Sequence, residues 1–99
     1  MKQNYNKKSN VNVSVDIFLS IKLKLAVYME KKEFIKKLGQ QVVKLRKQKG
    51  WSQAELARNC FKDRQSIERL ENGKINPSAY YLYEVAKTLG ISVKELLNF

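Results

Sequence analysis

Between residues 31 and 48, apolar residues recur at the spacing of an α-helix. They stand at positions i, i+4, i+8 and i+11, so one side of the helix is apolar while lysines cover the other side. The residues of this apolar stripe are Phe34, Leu38, Val42 and Leu45. Gly50 follows, and glycine commonly stands just beyond the end of a helix. The pattern predicts a first helix from about Lys31 to Gln48.

Residues 52–73 predict two more helices, both short, with a tight turn between them. Ser52 and Glu55 have the Ser-x-x-Glu spacing of a capping box, in which each side chain accepts a hydrogen bond from a backbone N–H that the first turn leaves free. A helix of about two turns follows, and small or apolar residues provide its inward contacts. These residues are Ala54, Leu56, Ala57 and Cys60.

The second of these short helices has an expected start, inner side and end. Asp63 is a good N-cap residue, because its carboxylate can accept from an unpaired backbone N–H at the positive end of the helix dipole. Ile67 and Leu70, three residues apart, form the inner side. Asn72 and Gly73 end the helix, since glycine adopts the left-handed conformation there without steric cost.

Two further helices are predicted after the second short helix. The sequence NPS at residues 76–78 marks the entry to a fourth helix, and Gly90 caps its end. The buried side of this helix consists of Leu82, Val85, Ala86 and Leu89. Ser92 and Glu95 form a second capping box, which opens a short final helix. The fold class expected from these patterns is all-α, with five helices.

The segment from Val11 to Tyr28 has a different pattern, because apolar residues occupy every odd position. They are Val11, Val13, Val15, Ile17, Leu19, Ile21, Leu23, Leu25 and Val27. A period of two is typical of a strand with one apolar side. However, the segment is long for a strand, since about 3–10 residues is usual, and no other stretch of the sequence offers a partner strand.

Four interpretations of this segment are open. A secretory signal or membrane anchor is disfavoured because Asp16, Lys22 and Lys24 interrupt the apolar run. Two structured alternatives are a strand that pairs with its twin in a dimer and a helix packed across the rest of the domain. The favoured interpretation is that translation starts at Met29 and that the preceding residues form a poorly structured extension.

The length of the chain, 99 residues, suggests one domain with a modest core. We assign this domain to residues 31–99 and treat residues 1–30 as an N-terminal extension of uncertain structure. The first ten residues, 1–10, are polar and basic and are expected to be disordered.

Composition narrows the classes of function. Twenty Lys and Arg residues against nine Asp and Glu residues give a formal net charge of +11, which favours polyanionic partners through counterion release. The sequence has no His, and its single cysteine, Cys60, cannot form an internal disulfide or a thiolate metal cluster. It also has no nucleophile–base pair and no Gly-rich phosphate loop. We therefore expect no enzymatic activity, no metal, no cofactor, and a cytoplasmic protein.

The outer side of the second short helix carries residues that can read DNA. Four polar residues lie off its apolar stripe: Arg64, Gln65, Glu68 and Arg69. Arginine can pair with guanine O6 and N7, and glutamine with adenine N6 and N7. A short helix that presents such residues from its first turns has the docking geometry of a DNA-recognition helix.

Two strings within residues 52–74, SQAELA and QSIERLENGK, resemble the helix-turn-helix domain of the phage repressor and Cro family, the XRE-type regulators. The resemblance runs from about Leu38, through LRKQKGWSQAELA, to TLGISVKELL near the C-terminus. It implies a five-helix, lambda-repressor-like DNA-binding domain. It also implies a sequence-specific transcriptional regulator, with repression as the expected mode.

The resemblance implies base-reading roles for individual residues. By position in the motif, Arg64 and Gln65 are the first base readers, and Arg69 lies one helical turn further along. Ser66 is expected to reach a thymine methyl group or a phosphate. Glu68 either accepts from cytosine N4 or restrains a neighbouring arginine through an ion pair.

The resemblance also implies phosphate contacts and one internal ion pair. Gln53 stands at the start of the first short helix, where the family commonly contacts a phosphate with the side chain and the backbone N–H. Asn72 and Lys74 resemble the second phosphate clamp of the family, and such contacts fix the register on the duplex. Arg46 and Glu71 match a partly buried ion pair of the family. The alternative is two separately solvated surface charges.

One position departs from the family pattern. Family members usually have glycine in the turn between the two short helices, just after the apolar residue matched by Cys60. This sequence has Phe61 there, followed by Lys62. Because phenylalanine adopts a positive φ only at a cost, we expect the turn to be rearranged by a residue or two. Trp51 stands where the family has leucine and is expected to fill the core.

The sequence thus predicts a small DNA-binding regulator that acts as a homodimer on a two-fold or pseudo-two-fold operator, with half-sites about one helical turn apart. A phage-type repressor, a restriction–modification controller and an antitoxin that represses its own operon all fit. RNA polymerase or a co-encoded toxin would then be the protein partner, and no membrane partner is expected. The alternative from another class is a non-catalytic interaction module that binds a protein or a structured RNA through the same scaffold.

Overall fold

A computed structural model describes residues 9–99, with side chains from residue 15 onward, and these residues form five α-helices and no strand. The helices are α1 (Ser9–Gln48), α2 (Gln53–Asn59), α3 (Arg64–Glu71), α4 (Ala79–Thr88) and α5 (Val93–Leu96). The all-α, five-helix fold expected from the sequence is confirmed. The expectation of disorder for residues 1–10 falls mostly on residues 1–8, which lie outside the described residues.

The predicted start of the first helix near Lys31 is wrong, whereas its end at Gln48 is confirmed. α1 already begins at Ser9, so the segment with alternating apolar residues is helical where the structure describes it. No Gly or Pro interrupts this segment, and the described residues provide no second strand to pair with it. In a helix, alternate residues lie about 200° apart. The odd-numbered apolar residues therefore fall on opposite sides of α1.

The chain divides into two units, Met1–Lys31 and Lys32–Phe99. In the first unit every side chain that the structure describes is exposed, and the large apolar ones have exposed fractions of 49% to 67%. Among the described helices, none combines the length and the apolar character that a membrane span needs. The division into an extension, residues 1–30, and a DNA-binding domain, residues 31–99, stays a prediction.

The second unit is built around one apolar core. Its buried residues are Leu38, Val42, Leu56, Ala57, Cys60, Ile67, Leu70, Val85, Ala86, Leu89 and Leu96. Trp51 packs against this core, as predicted, and is half-buried.

Two residues that the sequence predicted to face the core, Phe34 and Ala54, are exposed instead. Phe34 packs on the ring of Phe99, with 5.4 Å between centroids, and Ala54 lies about 200° around α2 from the buried Leu56.

Capping interactions begin the short helices where the sequence predicts them. The Ser52 hydroxyl accepts from the Glu55 N–H at 3.0 Å, and the Glu55 carboxylate accepts from the Ser52 N–H at 2.7 Å. Because this second hydrogen bond stabilises the charged form, the pKa of Glu55 is lowered. The carboxylate of Asp63 caps α3, and Ser92 and Glu95 form the second capping box.

The turn between α2 and α3 is not rearranged, so that expectation is wrong. Phe61 itself takes the left-handed conformation, with a φ of 56°. Its N–H donates to the Arg58 carbonyl at 3.3 Å, and the Lys62 N–H donates to the Ala57 carbonyl at 2.9 Å. This is the helix end that glycine ordinarily makes. The phenyl ring gains no burial in return, since Phe61 is 93% exposed.

We expect Phe61→Gly to raise the free energy of unfolding by about 0.5–1 kcal/mol, because glycine removes the cost of a left-handed residue that carries a Cβ. The gain is reduced by the greater freedom of glycine in the unfolded chain. Phe61→Ala is the matched control, since it removes the same ring and keeps the Cβ, and we expect no gain from it. Urea denaturation measures both variants. A gain shared by both would assign the effect to the ring.

Candidate nucleic-acid interface

The inner side of α3 is fixed in the core, and its polar side is open to solvent. Ile67 and Leu70 are completely buried. Arg64 and Gln65 are exposed in the first turn, and Arg69 is exposed about one turn later. The structure thus brings these three predicted base readers together on the exposed part of one short helix.

Glu68, the fourth polar residue of this helix, is half-buried. In the described part of the chain, no ion pair joins its carboxylate to Arg64 or Arg69. The carboxylate therefore does not restrain either arginine in this structure. Its role as an acceptor for cytosine N4 stays a prediction.

Ser66 connects the first turn of α3 to α4. Its partly buried hydroxyl is hydrogen-bonded to the hydroxyl of Tyr81. The Lys62 ammonium lies 4.9 Å from the centroid of the Tyr81 ring and 2.6 Å from a carboxylate oxygen of Glu84. Burial raises the pKa of Tyr81. The Ser66 hydroxyl, which the sequence directed towards DNA, has an internal partner.

The three predicted phosphate-contacting residues differ in their surroundings. Asn72 and Lys74 are exposed directly after α3, where Gly73 has a φ of 68°. Gln53 is the first residue of α2, and its side-chain amide donates to Glu71 Oε1 at 2.9 Å. The backbone N–H of Gln53 belongs to the first turn, whose N–H groups lack intrahelical partners. This N–H can therefore meet a phosphate while the side-chain amide stays bound to Glu71.

The structure contains the predicted ion pair between Arg46 and Glu71. Arg46 Nε donates to Glu71 Oε2 at 2.6 Å, and Arg46 Nη2 donates to Glu71 Oε1 at 3.0 Å. The side chains are only 10% and 2% exposed. Arg46 Nη1 also donates to the Trp51 carbonyl at 2.8 Å. The hydrogen bond to Glu71 raises the pKa of Arg46, and the pair ties the end of α3 to the end of α1.

Cys60 is buried in the core. Burial raises the pKa of its thiol, which disfavours the reactive thiolate. A packing role therefore fits this residue. Within the described residues, no group of three or more His, Cys, Asp and Glu side chains could hold a metal ion.

The contacts that two residues make with α3 were missed by sequence reasoning. Gly39 of α1 lies so close to the end of α3 that an added Cβ would stand 2.4 Å from the Glu71 carbonyl oxygen and 2.6 Å from that of Leu70. A glycine inside a helical pattern was the available signal for such close packing. Tyr81 is the other residue, and its bond to Ser66 depends on tertiary geometry that no local pattern indicates.

Two capped helices joined by a tight turn, the second of which exposes Arg64, Gln65 and Arg69, define a helix-turn-helix protein. The family model described as "Helix-turn-helix" matches residues 42–96. This match covers more than half of the chain, so the chain belongs to the helix-turn-helix family. The resemblance to the XRE-type regulators is confirmed.

Proteins named as transcriptional regulators are similar to this chain over almost two thirds of its length. It is 37% identical over 63 residues to the uncharacterized HTH-type transcriptional regulator y4dJ of Sinorhizobium fredii, a match that covers 64% of this chain and 82% of the relative. It is 37% identical over 62 residues to the HTH-type transcriptional regulator SinR of Bacillus licheniformis, covering 62% of this chain and 56% of SinR.

Solved structures agree with this assignment. The restriction-modification controller protein C.AhdI from Aeromonas hydrophila is 34% identical with a TM-score of 0.63, and the match covers 66% of this chain and 94% of C.AhdI. The hypothetical transcription factor NHTF from Neisseria is 31% identical with a TM-score of 0.64, and the match covers 68% and 77% of the two chains. The chain is a DNA-binding transcriptional regulator of the helix-turn-helix type.

Proposed function

We propose that this regulator is a sequence-specific repressor that binds duplex DNA as a homodimer on a two-fold or pseudo-two-fold operator. The observation that carries the proposal is the exposure of Arg64 and Gln65 on a helix that Ile67 and Leu70 fix in the core. In the major groove, Arg64 pairs with guanine and Gln65 with adenine, and each bidentate contact discriminates against a wrong base by about 1–3 kcal/mol. Arg69 provides a further contact one turn later.

The arrangement on DNA follows from the recognition helix. A dimer places two copies of α3 in successive major grooves, so the half-sites lie about 34–36 Å apart, one helical turn. The net charge of +11 supports rapid association with DNA. The likeness to C.AhdI, a restriction-modification controller protein, supports a role in regulation, and we propose that the bound dimer blocks transcription.

Phosphate contacts by Asn72, Lys74 and the backbone N–H of Gln53 complete the proposed interface. They set the register of α3 on the duplex without reading sequence. Affinity gained in this way depends on the salt concentration, because each neutralised phosphate releases a counterion.

Lys74→Ala should weaken binding to all duplex sequences alike. It should also make the negative slope of the logarithm of the association constant against the logarithm of the salt concentration shallower by about 1. Fluorescence anisotropy titrations of a labelled duplex over a series of salt concentrations measure this slope. Lys94→Ala is the matched control, since it removes the same charge from an exposed lysine of α5. An equal loss in both variants would show that Lys74 acts through net charge alone.

Competition between DNA and RNA tests the proposed function against the interaction-module alternative. Unlabelled duplex DNA and an RNA hairpin of equal length compete with the labelled duplex at about 0.15 M salt, where non-specific binding is weakened. The proposal predicts that unlabelled duplex DNA displaces the labelled duplex at a lower concentration than the RNA hairpin does. Displacement by the RNA at the lower concentration would favour the RNA-binding alternative.

We further propose that residues 31–99 bind DNA without residues 1–30. The buried core residues that the structure describes begin at Leu38, and the proposed DNA contacts lie between Gln53 and Lys74. Deletion of residues 1–30 should therefore leave the base preference and the thermal midpoint unchanged. Binding-site selection and thermal denaturation of the shortened chain measure these two properties. A lost preference would place part of the interface in the extension.

A further inference from the structure

The first turn of α3 must be held in one orientation for Arg64 and Gln65 to read bases. A bidentate contact needs both of its hydrogen bonds near their normal length and angle, and such bonds weaken steeply when misaligned. Ile67 and Leu70 anchor α3 from inside the core. They lie later in the helix than the two base readers, so the orientation of the first turn depends on contacts nearer its start.

Tyr81 provides such a contact from α4. We infer that Tyr81 is a positioning residue for base reading, which orients the first turn of α3 through the Ser66 hydroxyl and does not itself touch DNA. This inference rests on the proposed sequence-specific binding. Ser66 follows Arg64 and Gln65 directly in the same turn, so a bond at Ser66 restrains the rotation of that turn about the helix axis.

The position of Tyr81 is itself fixed by neighbouring residues. Its backbone N–H donates to the capping hydroxyl of Ser78 at 3.0 Å, and its ring packs against the core. The Lys62 ammonium lies over the same ring, 4.9 Å from its centroid, and is held by Glu84 at 2.6 Å. Lys62 precedes the α3 N-cap residue by one position. Tyr81 therefore contacts the chain on both sides of the start of α3.

This arrangement gives Ser66 a different role from the one that the sequence suggests. Its hydroxyl is partly buried and bonded to Tyr81, so it stabilises the orientation of the neighbouring base readers. A direct contact of Ser66 with a thymine methyl group or a phosphate would be a further role beside this bond, because a serine hydroxyl can donate one hydrogen bond while it accepts another. The two roles predict different results for the double variant. If Ser66 acts only through Tyr81, the losses of binding specificity from Ser66→Ala and Tyr81→Phe do not add, whereas a direct contact of Ser66 with DNA gives a further loss.

The experiment compares the wild type with Tyr81→Phe, Ser66→Ala and the double variant. For each, the dissociation constant is measured on the DNA duplex that the wild type selects from a random library and on a scrambled duplex of equal length. We expect each single variant to lower the ratio of specific to non-specific affinity about fivefold, the usual scale of one lost hydrogen bond. The double variant should lose no more than either single variant, and affinity for the scrambled duplex should not change.

Tyr83→Phe is the matched control. It removes a hydroxyl from the same helix, one that lies 3.5 Å from the exposed Lys87 ammonium, and should keep the wild-type ratio. Urea denaturation of all variants detects any general loss of stability. If Tyr81→Phe is unstable, Ser66→Ala removes the same hydrogen bond from the other helix and tests the same prediction.

The remaining outcomes separate this inference from the proposed function. A wild-type affinity ratio in folded Tyr81→Phe would overturn the positioning role and leave the proposed function intact. An additional loss from Ser66→Ala in the Tyr81→Phe background would show that Ser66 also contacts DNA directly, and would overturn the claim that its hydroxyl acts only through Tyr81. A wild-type chain that selects no sequence would overturn the proposed function and the inference together.

Discussion

Replacing Glu71 with leucine is expected to lower the free energy of unfolding by about 3–5 kcal/mol, because the buried Arg46 guanidinium would lose its counter-charge. The Glu71 side chain is 2% exposed and that of Arg46 10% exposed, so water cannot replace the lost carboxylate. The same substitution removes the acceptor of the Gln53 side-chain amide, 2.9 Å away. Urea denaturation of the wild type and the variant measures the difference.

Two controls separate the buried charge from a general effect of substitution. The double variant Arg46→Met/Glu71→Leu should recover most of the lost stability, because no uncompensated charge is left. Glu84→Gln weakens the more exposed pair with Lys62, whose side chains are 24% and 27% exposed, and should lower the stability far less, because water screens such a pair. A similarly small loss for Glu71→Leu would mean that Arg46 and Glu71 are solvated separately.

Gly39→Ala is expected to lower the free energy of unfolding by about 1–3 kcal/mol, the usual cost of overpacking. The added Cβ would stand 2.4 Å from the backbone carbonyl oxygen of Glu71 and 2.6 Å from that of Leu70. Backbone atoms can yield only if α3 moves away from α1. The Leu70 carbonyl also accepts the Gly73 N–H at 3.2 Å, so this movement would disturb the end of the recognition helix as well.

The sign of the change in unfolding free energy tests the close contact between α1 and α3. Without this contact, Gly39→Ala would stabilise the protein, because alanine favours a helix over glycine by about 1 kcal/mol. Gly50→Ala is the matched control. At Gly50, the described residues place no heavy atom within 4 Å of an added Cβ, but the φ is 76°. Gly50→Ala should therefore lower the free energy of unfolding only through backbone strain, by about 1–2 kcal/mol. Denaturation curves that show Gly39→Ala to be stabilising would contradict the close packing of α1 on α3.

Local signals explain why the helix-turn-helix unit could be predicted from the sequence. The bonds between Ser52 and Glu55 and the cap at Asp63 join residues three positions apart, so their spacing is visible in the chain. The buried pair Ile67 and Leu70 follows from helical periodicity in the same way. These features define both ends and the inner side of the recognition helix, and the exposed residues follow by exclusion.

Features that depend on several parts of the chain were predicted less well. The alternating pattern before Met29 suggested a strand, but a strand also needs a partner, and the described backbone is helical. At Phe61, a local steric preference argued for a rearranged turn. The hydrogen bonds of the helix end and the cap at Asp63 instead impose a left-handed residue. The bond between Ser66 and Tyr81 joins two helices that no sequence pattern relates.

Selection of binding sites from a random duplex library tests whether α3 reads bases. The wild type and Gln65→Ala are compared at about 0.15 M salt, where screening weakens non-specific binding. Sequence-specific binding by a dimer predicts an enriched palindrome for the wild type. In Gln65→Ala, the preference should relax at one symmetric pair of positions and persist elsewhere. If no sequence is enriched while binding stays strongly salt-dependent, the basic side chains only hold phosphates, and the account of α3 as a base-reading helix is contradicted.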